Sequence, residues 1–299
     1  MSKIPTLLVL GESGQVAQAL SKTLRTLGTL KTLDRSALDF SEPQNIQAVL
    51  EKHNPDMVIN AVAYTAVDQA QDEPELAETI NAQAVKEIAS FCAKKNIFLI
   101  HYSTDYVFNG EKDSPYRETD PCQPINVYGA TKLNGEKAII NSGAPHIILR
   151  TCWVYSSTGK NFVKTMLRLG RERDELSVVD DQKGNPTSAN DIALATSQIV
   201  SEILANATSD SSKKFSGIYH LSGLGEATWF EFAKEIFRLS GLSLKLKAVT
   251  SGEFKTKAKR PRYSVLDNQK IAEQFHVFMP HWQESLAEVI DELRISKEF

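Results

Sequence analysis

A tyrosine and a lysine stand four residues apart, Tyr128 and Lys132, in the run Val127-Tyr128-Gly129-Ala130-Thr131-Lys132. On a helix that spacing puts both on one face, about one turn apart. An ammonium so close lowers the pKa of a phenol, and a tyrosine tuned this way can give or take a proton when a carbonyl and an alcohol interconvert. Upstream, an apolar run of strand length ends in Tyr102-Ser103-Thr104-Asp105. A hydroxyl at that strand end can hydrogen-bond a substrate carbonyl oxygen. Side chains alternate along a strand, so one of Ser103 and Thr104 faces the crevice, and the pattern leaves open which. A solvated Tyr–Lys pair or a strand-end hydroxyl that merely caps would look the same in isolation.

The same chain carries a nucleotide signal. Gly11-Glu12-Ser13-Gly14-Gln15-Val16-Ala17 joins a first strand to a first amphipathic helix. In that context the glycines Gly11 and Gly14, with Ser13 between them, let the backbone turn tightly and approach a pyrophosphate, which sits on the N–H groups at the helix N-terminus. Asp34 falls 20 residues after Gly14, at the end of the second strand, where a carboxylate can accept from ribose hydroxyls. Arg35 follows and suits a 2′-phosphate, so Asp34 favours NADH, Arg35 allows NADPH, and both cofactors stay open. Asn60-Ala61-Val62-Ala63-Tyr64-Thr65 ends the third strand with small residues that leave room for a cofactor.

These residues need elements to hold them. Apolar strand-length runs at 6–10, 30–33, 56–60, 97–101 and 146–150 alternate with helical stretches, one closed by Gly28, one opened by Pro43 and a long one opened by Pro74 that runs to about Lys95. Five strand–helix alternations predict an α/β fold: a Rossmann-like, doubly wound parallel sheet with helices on both faces. Later segments predict helices over 161–173, 189–205, 228–239 and 283–295, strands over 176–180 and 217–221, and an exposed polar loop at 208–214. The expected division is a dinucleotide-binding domain over 1–170, with 188–215 packing back onto it, and a smaller α/β substrate-binding lobe over 171–299.

Composition narrows the classes. The 299 residues hold 34 basic and 37 acidic side chains, well mixed, for a formal charge of −3, so no basic stripe argues for nucleic acid. No apolar run reaches membrane-span length and the opening residues lack a signal-peptide pattern, so a cytoplasmic protein without a membrane partner is expected. The 3 cysteines, Cys92, Cys122 and Cys152, form no C-x-x-C pair and fit a reducing compartment. Cys152 reads as packing, and the 6 histidines show no metal-ligand spacing, so no metal is expected.

Together the glycine turn, Asn60-Ala61-Val62-Ala63, Ser103-Thr104 and Tyr128-Gly129-Ala130-Thr131-Lys132 resemble the extended short-chain dehydrogenase/reductases in order and spacing. Ala63-Tyr64-Thr65-Ala66-Val67-Asp68, His101-Tyr102-Ser103-Thr104-Asp105-Tyr106-Val107-Phe108, Arg150-Thr151-Cys152-Trp153-Val154-Tyr155 and Asp181-Gln182-Lys183-Gly184-Asn185-Pro186-Thr187 are similar, more narrowly, to the dTDP-4-dehydrorhamnose reductase family. The resemblance covers nearly the whole chain. It implies reduction of the 4-keto group of a dTDP-linked 4-keto-6-deoxy sugar with NADPH or NADH. It also implies that Tyr128 is the proton donor, that Lys132 lowers its pKa and holds the nicotinamide ribose, and that Thr104 rather than Ser103 is the catalytic hydroxyl. Gly14, Gln15, Val16, Asp34, Asp39, Phe40, Ala63, Tyr64, Thr65 and Tyr102 match cofactor-contacting positions; Thr104, Asp105 and Trp153 match positions that touch the sugar nucleotide.

Where some relatives carry acidic side chains that bind a magnesium ion between two subunits, this chain has Ala19 and Asn190. A monomer or a weak homodimer without a metal bridge is therefore expected. Dehydratases of the superfamily follow the threonine with Asp-Glu, but here Tyr106 follows Asp105, which argues against that chemistry. The superfamily motifs are also compatible with a different sugar-nucleotide epimerase or reductase, and with a non-catalytic regulatory subunit of the methionine adenosyltransferase β type. Arg260 and Arg262, in Arg260-Pro261-Arg262, are candidates for the nucleotide diphosphate.

Overall fold

The computed structural model describes residues 3–206 and 214–296, so the polar stretch before Lys214 lies outside the described residues. Strands β1 (Thr6–Leu10), β2 (Thr29–Leu33), β3 (Met57–Asn60), β4 (Phe98–Thr104) and β5 (His146–Thr151) form one parallel sheet. Its spatial order is β2-β1-β3-β4-β5, and a sixth strand joins beyond β5. Leu7, Leu8, Val9 and Leu10 of β1 are all buried, because helices cover both faces. Leu7 and Val9 point to one core, Leu8 and Leu10 to the other. The first connection leaves β1 toward β2 and the next goes to β3 on the opposite side. The carboxyl ends of β1 and β3 therefore diverge at a switch point, where such sheets leave a crevice.

Helices α1 (Gln15–Thr23) and α2 (Ile46–His53) follow the first two strands. The long helix expected from Pro74 is continuous but not uniform: α3 (Pro74–Glu78) passes through a π turn, Thr79–Gln83, into α4 (Ala84–Lys95). That turn buries Asn81, whose side chain bonds the Tyr64 backbone on both sides and donates to Thr131 Oγ1 at 3.0 Å. A wider turn at this point seats the chain after β3 against the next helix, α5 (Val127–Ser142).

Helix α5 starts one residue before Tyr128 for a definite reason. Asn126 caps it, its Oδ1 accepting from Gly129 N at 2.8 Å, while Val127 N donates to Gln71 Oε1 at 2.8 Å. Such a cap contributes about 1 kcal/mol. Gly129 has no room for a side chain, because a Cβ there would collide with the Tyr106 carbonyl, so the helix lies directly on the turn after β4.

Beyond β5 the chain builds the smaller lobe and also returns to the larger layer. Its elements are β6 (Val154–Tyr155), α6 (Phe162–Glu172), β7 (Glu175–Val179), β8 (Lys183–Gly184) and β9 (Thr187–Ser188), then α7 (Ala189–Ala205) and β10 (Gly217–His220). They continue with β11 (Ala227–Thr228), α8 (Trp229–Ser240), β12 (Lys245–Val249), α9 (Gln269–Phe275) and α10 (Trp282–Ile295). Three two-stranded pairs, β6–β9, β7–β12 and β8–β11, replace a single sheet here. Helix α7 lies along α1. The segment drawn within the 171–299 lobe also contributes to the large layer: β10 pairs in parallel with β5 as the sixth strand, and α9 packs beside it. No helix among the described residues is long and apolar enough to cross a membrane.

Candidate active site

The glycine turn is shaped for an anion. Gly11 has φ +96°, a conformation that favours glycine, and its N–H is tied to Leu33 O at 2.8 Å. Gly14 is the N-cap of α1 with no side-chain cap, and a Cβ added there would meet nothing. The first N–H groups of α1 are thus left without a side-chain cap and suit a pyrophosphate. Gln15 Oε1 accepts from Asn161 Nδ2 at 2.8 Å and Ser156 Oγ at 3.0 Å, which ties this turn to the loop after β6. Ser13 and Asp34 are exposed at the mouth of the crevice. Asp34 accepts from Ser36 Oγ and Ala37 N, and these bonds hold its carboxyl below the usual range. Asp39 is held down by Ser41 and by Arg35, 3.3 Å away. Phe40 is a core residue beside Leu38 and Ile46, so any contact it makes is apolar. The chain's own residues fit a dinucleotide along this edge.

Strand β4 then delivers the polar groups, and alternation separates the two hydroxyls. Ser103 Oγ points to α5 and donates to Glu136 Oε1 at 2.5 Å. Glu136 in turn receives Arg150 Nε at 2.9 Å and Nη2 at 2.6 Å, all three side chains being buried. Ser103 is therefore committed to a structural ion pair. Thr104 caps the turn after the strand, accepting from Tyr106 N at 3.1 Å, donates to Asp105 Oδ1 at 3.0 Å and lies close enough to the Tyr128 phenol to influence it. The choice left open by spacing falls on Thr104.

The Tyr128–Lys132 pair differs from expectation in one respect. Burial pushes the phenol up to about 12; the Thr104 bond opposes this and the Asp105 charge adds to it. The lysine Nζ instead donates to the Tyr102 carbonyl at 2.7 Å and faces His101 Nε2 at 3.2 Å. Burial lowers Lys132 to about 8, against the attraction of Glu136. A four-residue spacing fixes the face of a helix but not the direction of a long side chain.

Asp105 is buried beneath Thr104, and burial raises it to about 6 despite hydrogen bonds from Ser264, Cys152 and Thr104. Cys152 Sγ donates to Asp105 Oδ2 at 3.2 Å and accepts from Asn185 N at 3.3 Å, and burial keeps its thiol well above the ordinary range. It packs and hydrogen-bonds; it is no thiolate. Tyr106 stands where a dehydratase has a glutamate, its ring edge-on to Tyr128 with centroids 5.9 Å apart. Among the other cofactor candidates, Ala63 and Tyr64 are half-buried and Thr65 is exposed after β3, with the Tyr64 hydroxyl donating to Glu73 at 2.7 Å. Tyr102 sends its phenol away from the site to Thr196 at 2.7 Å, so its carbonyl is what it offers.

Trp153 has a positive φ, +46°, and stacks flat on Trp229 with centroids 3.5 Å apart. No sequence pattern linked these residues, which come from the turn after β5 and from α8. Gly184 makes the stack possible, since a Cβ there would lie 2.6 Å from the Trp153 ring. Trp229, Phe162 and Arg260 line a cavity of about 700 Å³ next to the stack. Arg260 is held by Asp68 at 2.7 Å, whereas Arg262 is exposed in a separate cleft of about 410 Å³ lined by Asp113, Asp180, Asp181 and Glu226 together with Lys112 and Lys183. Ala19 is packed inside, and Asn190, itself no carboxylate, donates to the carboxylate of Glu292 at 3.1 Å. Among the described residues no group of three or more His, Cys, Asp or Glu is arranged for a metal.

The two neighbouring hydroxyls make a direct contrast. Thr104→Val should cut turnover by about 10²-fold, the loss typical of one donor to a developing oxyanion. Ser103→Ala should leave turnover within about threefold but cost about 1–3 kcal/mol in denaturant unfolding, because Glu136 loses a donor. Equal losses of turnover would contradict this assignment.

Comparison with known proteins places this architecture. Residues 5–295 match the family model described as the RmlD substrate binding domain. The chain is 41% identical over 297 residues to the dTDP-4-dehydrorhamnose reductase of Shigella flexneri, covering 96% of this chain and 97% of that one, and equally to that of Escherichia coli K12. In three dimensions it resembles the dTDP-4-dehydrorhamnose reductase of Bacillus anthracis solved in complex with NADP, with TM-score 0.90, 34% identity, and 97% of this chain and 100% of that chain covered. The corresponding Clostridium acetobutylicum structure gives TM-score 0.88 at 37% identity, covering 97% and 99%. UDP-glucose 4-epimerase of Thermus thermophilus shares the fold alone, at TM-score 0.78 and 18% identity over 97% of this chain and 99% of that one. A glycine cradle, a threonine strand end, a Tyr–Lys helix and a relationship spanning both lobes agree: the chain belongs to the dTDP-4-dehydrorhamnose reductase family.

Proposed function

We propose that the chain is an NAD(P)H-dependent reductase that converts the 4-keto group of dTDP-4-dehydro-6-deoxy-L-mannose to the alcohol of dTDP-L-rhamnose. The observation that carries this reading is the meeting of the Thr104 and Tyr128 hydroxyls at the buried carboxyl end of β4. Bound NAD(P)H would supply the hydride to the sugar C4 carbon. The protein's part is to receive the charge that develops on the keto oxygen. A phenol raised to about 12 keeps its proton at neutral pH and is ready to donate it. Thr104 adds a second hydroxyl at the same place, and the dry surroundings strengthen both. Lys132, still largely charged at neutral pH, sits one turn below as the cation for a ribose. The Trp153–Trp229 stack offers an apolar wall to the sugar nucleotide.

Gly11, Gly14, Gln15 and Val16 would hold the pyrophosphate, with Asp34, Arg35 and Asp39 around the ribose. Asp34 and Arg35 together accommodate NADH or NADPH. With no carboxylate at Ala19 or Asn190, a cytoplasmic monomer or metal-free homodimer is the assembly this favours.

Tyr128→Phe should lower kcat for the keto-sugar nucleotide by about 10²–10⁴-fold with an unchanged far-ultraviolet spectrum. Full activity in that variant would sink the mechanism. Arg260 is favoured over Arg262 for the diphosphate, because its cavity adjoins the tryptophan stack and the Arg262 cleft is a separate one. Arg260→Ala is accordingly expected to raise KM for the sugar nucleotide about tenfold, and Arg262→Ala by less than about twofold. The reverse order, or no effect from either, would refute the assignment.

A further inference from the structure

Lys132 shares its buried pocket with two uncharged polar side chains from neighbouring strands. Its Nζ faces His101 Nε2 at 3.2 Å, and His101 Nδ1 faces Asn60 Nδ2 at 3.0 Å. Asn60 Oδ1 accepts from the backbone N–H of Val62 at 3.0 Å. All three side chains are buried, so each contact has to join a donor to an acceptor. With Oδ1 taken by Val62, the amide NH₂ of Asn60 points at Nδ1, which must accept. A neutral imidazole then carries its one proton on Nε2, aimed at the lysine nitrogen. That N–H complements the lone pair of a neutral amine and opposes an ammonium. Doubly protonated histidine is disfavoured, since burial and the Lys132 charge push His101 well below its ordinary range.

We propose that Asn60, by fixing the Nε2–H tautomer of His101, makes the pair positioning residues that bring Lys132 to the edge of losing its proton. The inference rests on the role of Lys132 given above, but the tautomer and the lysine charge belong to the chain alone. Burial by itself lowers Lys132, the tautomer acts in the same direction, and no charged group around the amine does. Glu136, one turn along α5, favours the ammonium, and Arg150 of β5 holds both of its oxygens. From β4 come only the Tyr102 carbonyl and Ser103, which is bonded to Glu136; from β3 comes Asn60. The Tyr128 phenol lies on the same helix, and Asp105 is beyond Thr104. A lysine so poised can give up its proton within the site during turnover. The lone pair left on Nζ then accepts the waiting Nε2–H. A fixed cation has no such partner for its neutral form.

The test is ¹⁵N NMR of the full chain labelled at histidine and lysine. His101 should show a protonated Nε2 and a bare Nδ1, and Lys132 should titrate near 8. In Asn60→Asp the carboxylate should capture Nδ1–H, turn a bare Nε2 toward the ammonium and raise the Lys132 midpoint by about one pH unit or more. A wild-type His101 protonated on Nδ1, a wild-type Lys132 with an ordinary midpoint, or an Asn60→Asp tautomer unchanged from wild type would overturn the inference. If that variant does not fold, the wild-type tautomer and midpoint decide. None of these readouts depends on turnover, so a failure here is distinct from a failure of Tyr128 as proton donor.

Discussion

The carboxyl end of β4 is buried on every side, yet it carries His101, Ser103, Thr104 and Asp105 in succession with one tyrosine. Each polar group left unpartnered there would cost about 1–3 kcal/mol. The surrounding elements are arranged to prevent that: β3 brings Asn60, α5 brings Tyr128, Lys132 and Glu136, and β5 and the turn after it bring Arg150 and Cys152. The Glu136–Arg150 pair is the anchor. Replacing it with apolar groups could be nearly neutral, but removing one partner strands a buried charge at a cost of about 3–5 kcal/mol. Its guanidinium also lies over the Phe108 ring, 5.2 Å from the centroid, which joins the sheet to the third layer of packing around Tyr116 and Leu266.

Dryness explains the electrostatics of the site as one effect. Burial raises Tyr128 and Asp105 and lowers Lys132 and His101, so each of these titratable groups moves toward its neutral form. A site with few standing charges and several oriented hydroxyls answers strongly when negative charge appears on a keto oxygen. The glycine cradle is the complementary case: it is open, its N–H groups uncapped, and the anion it suits would bring its own charge.

Much of this was legible in the residues. Apolar strand cores alternating with helical stripes implied the parallel sheet, and the spacing of Gly14, Asp34, Ser103-Thr104 and Tyr128-Lys132 placed the cofactor edge and the reacting end. What remained hidden needed the third dimension. Period-two alternation allowed one hydroxyl but could not choose, because the face of β4 that meets α5 is set by packing. The direction of the Lys132 side chain was hidden for a similar reason: the lysine found a carbonyl and a histidine 30 and 31 positions upstream. Trp229 gave no signal at all, since its partner Trp153 belongs to a different lobe element. Glu136, four residues after Lys132, did leave a trace as the next residue on the same helical face.

If Thr104, Tyr128 and Lys132 serve hydride delivery to C4 of a dTDP-linked keto sugar, the transferred atom can be followed. The enzyme would be turned over with dTDP-4-dehydro-6-deoxy-L-mannose and NAD(P)H deuterated at the nicotinamide C4, and the label located in the product by NMR. One deuterium should appear on hexose C4 of dTDP-L-rhamnose for each cofactor oxidised. Sugar conversion without cofactor oxidation, or a product unlabelled at C4, would rule that chemistry out.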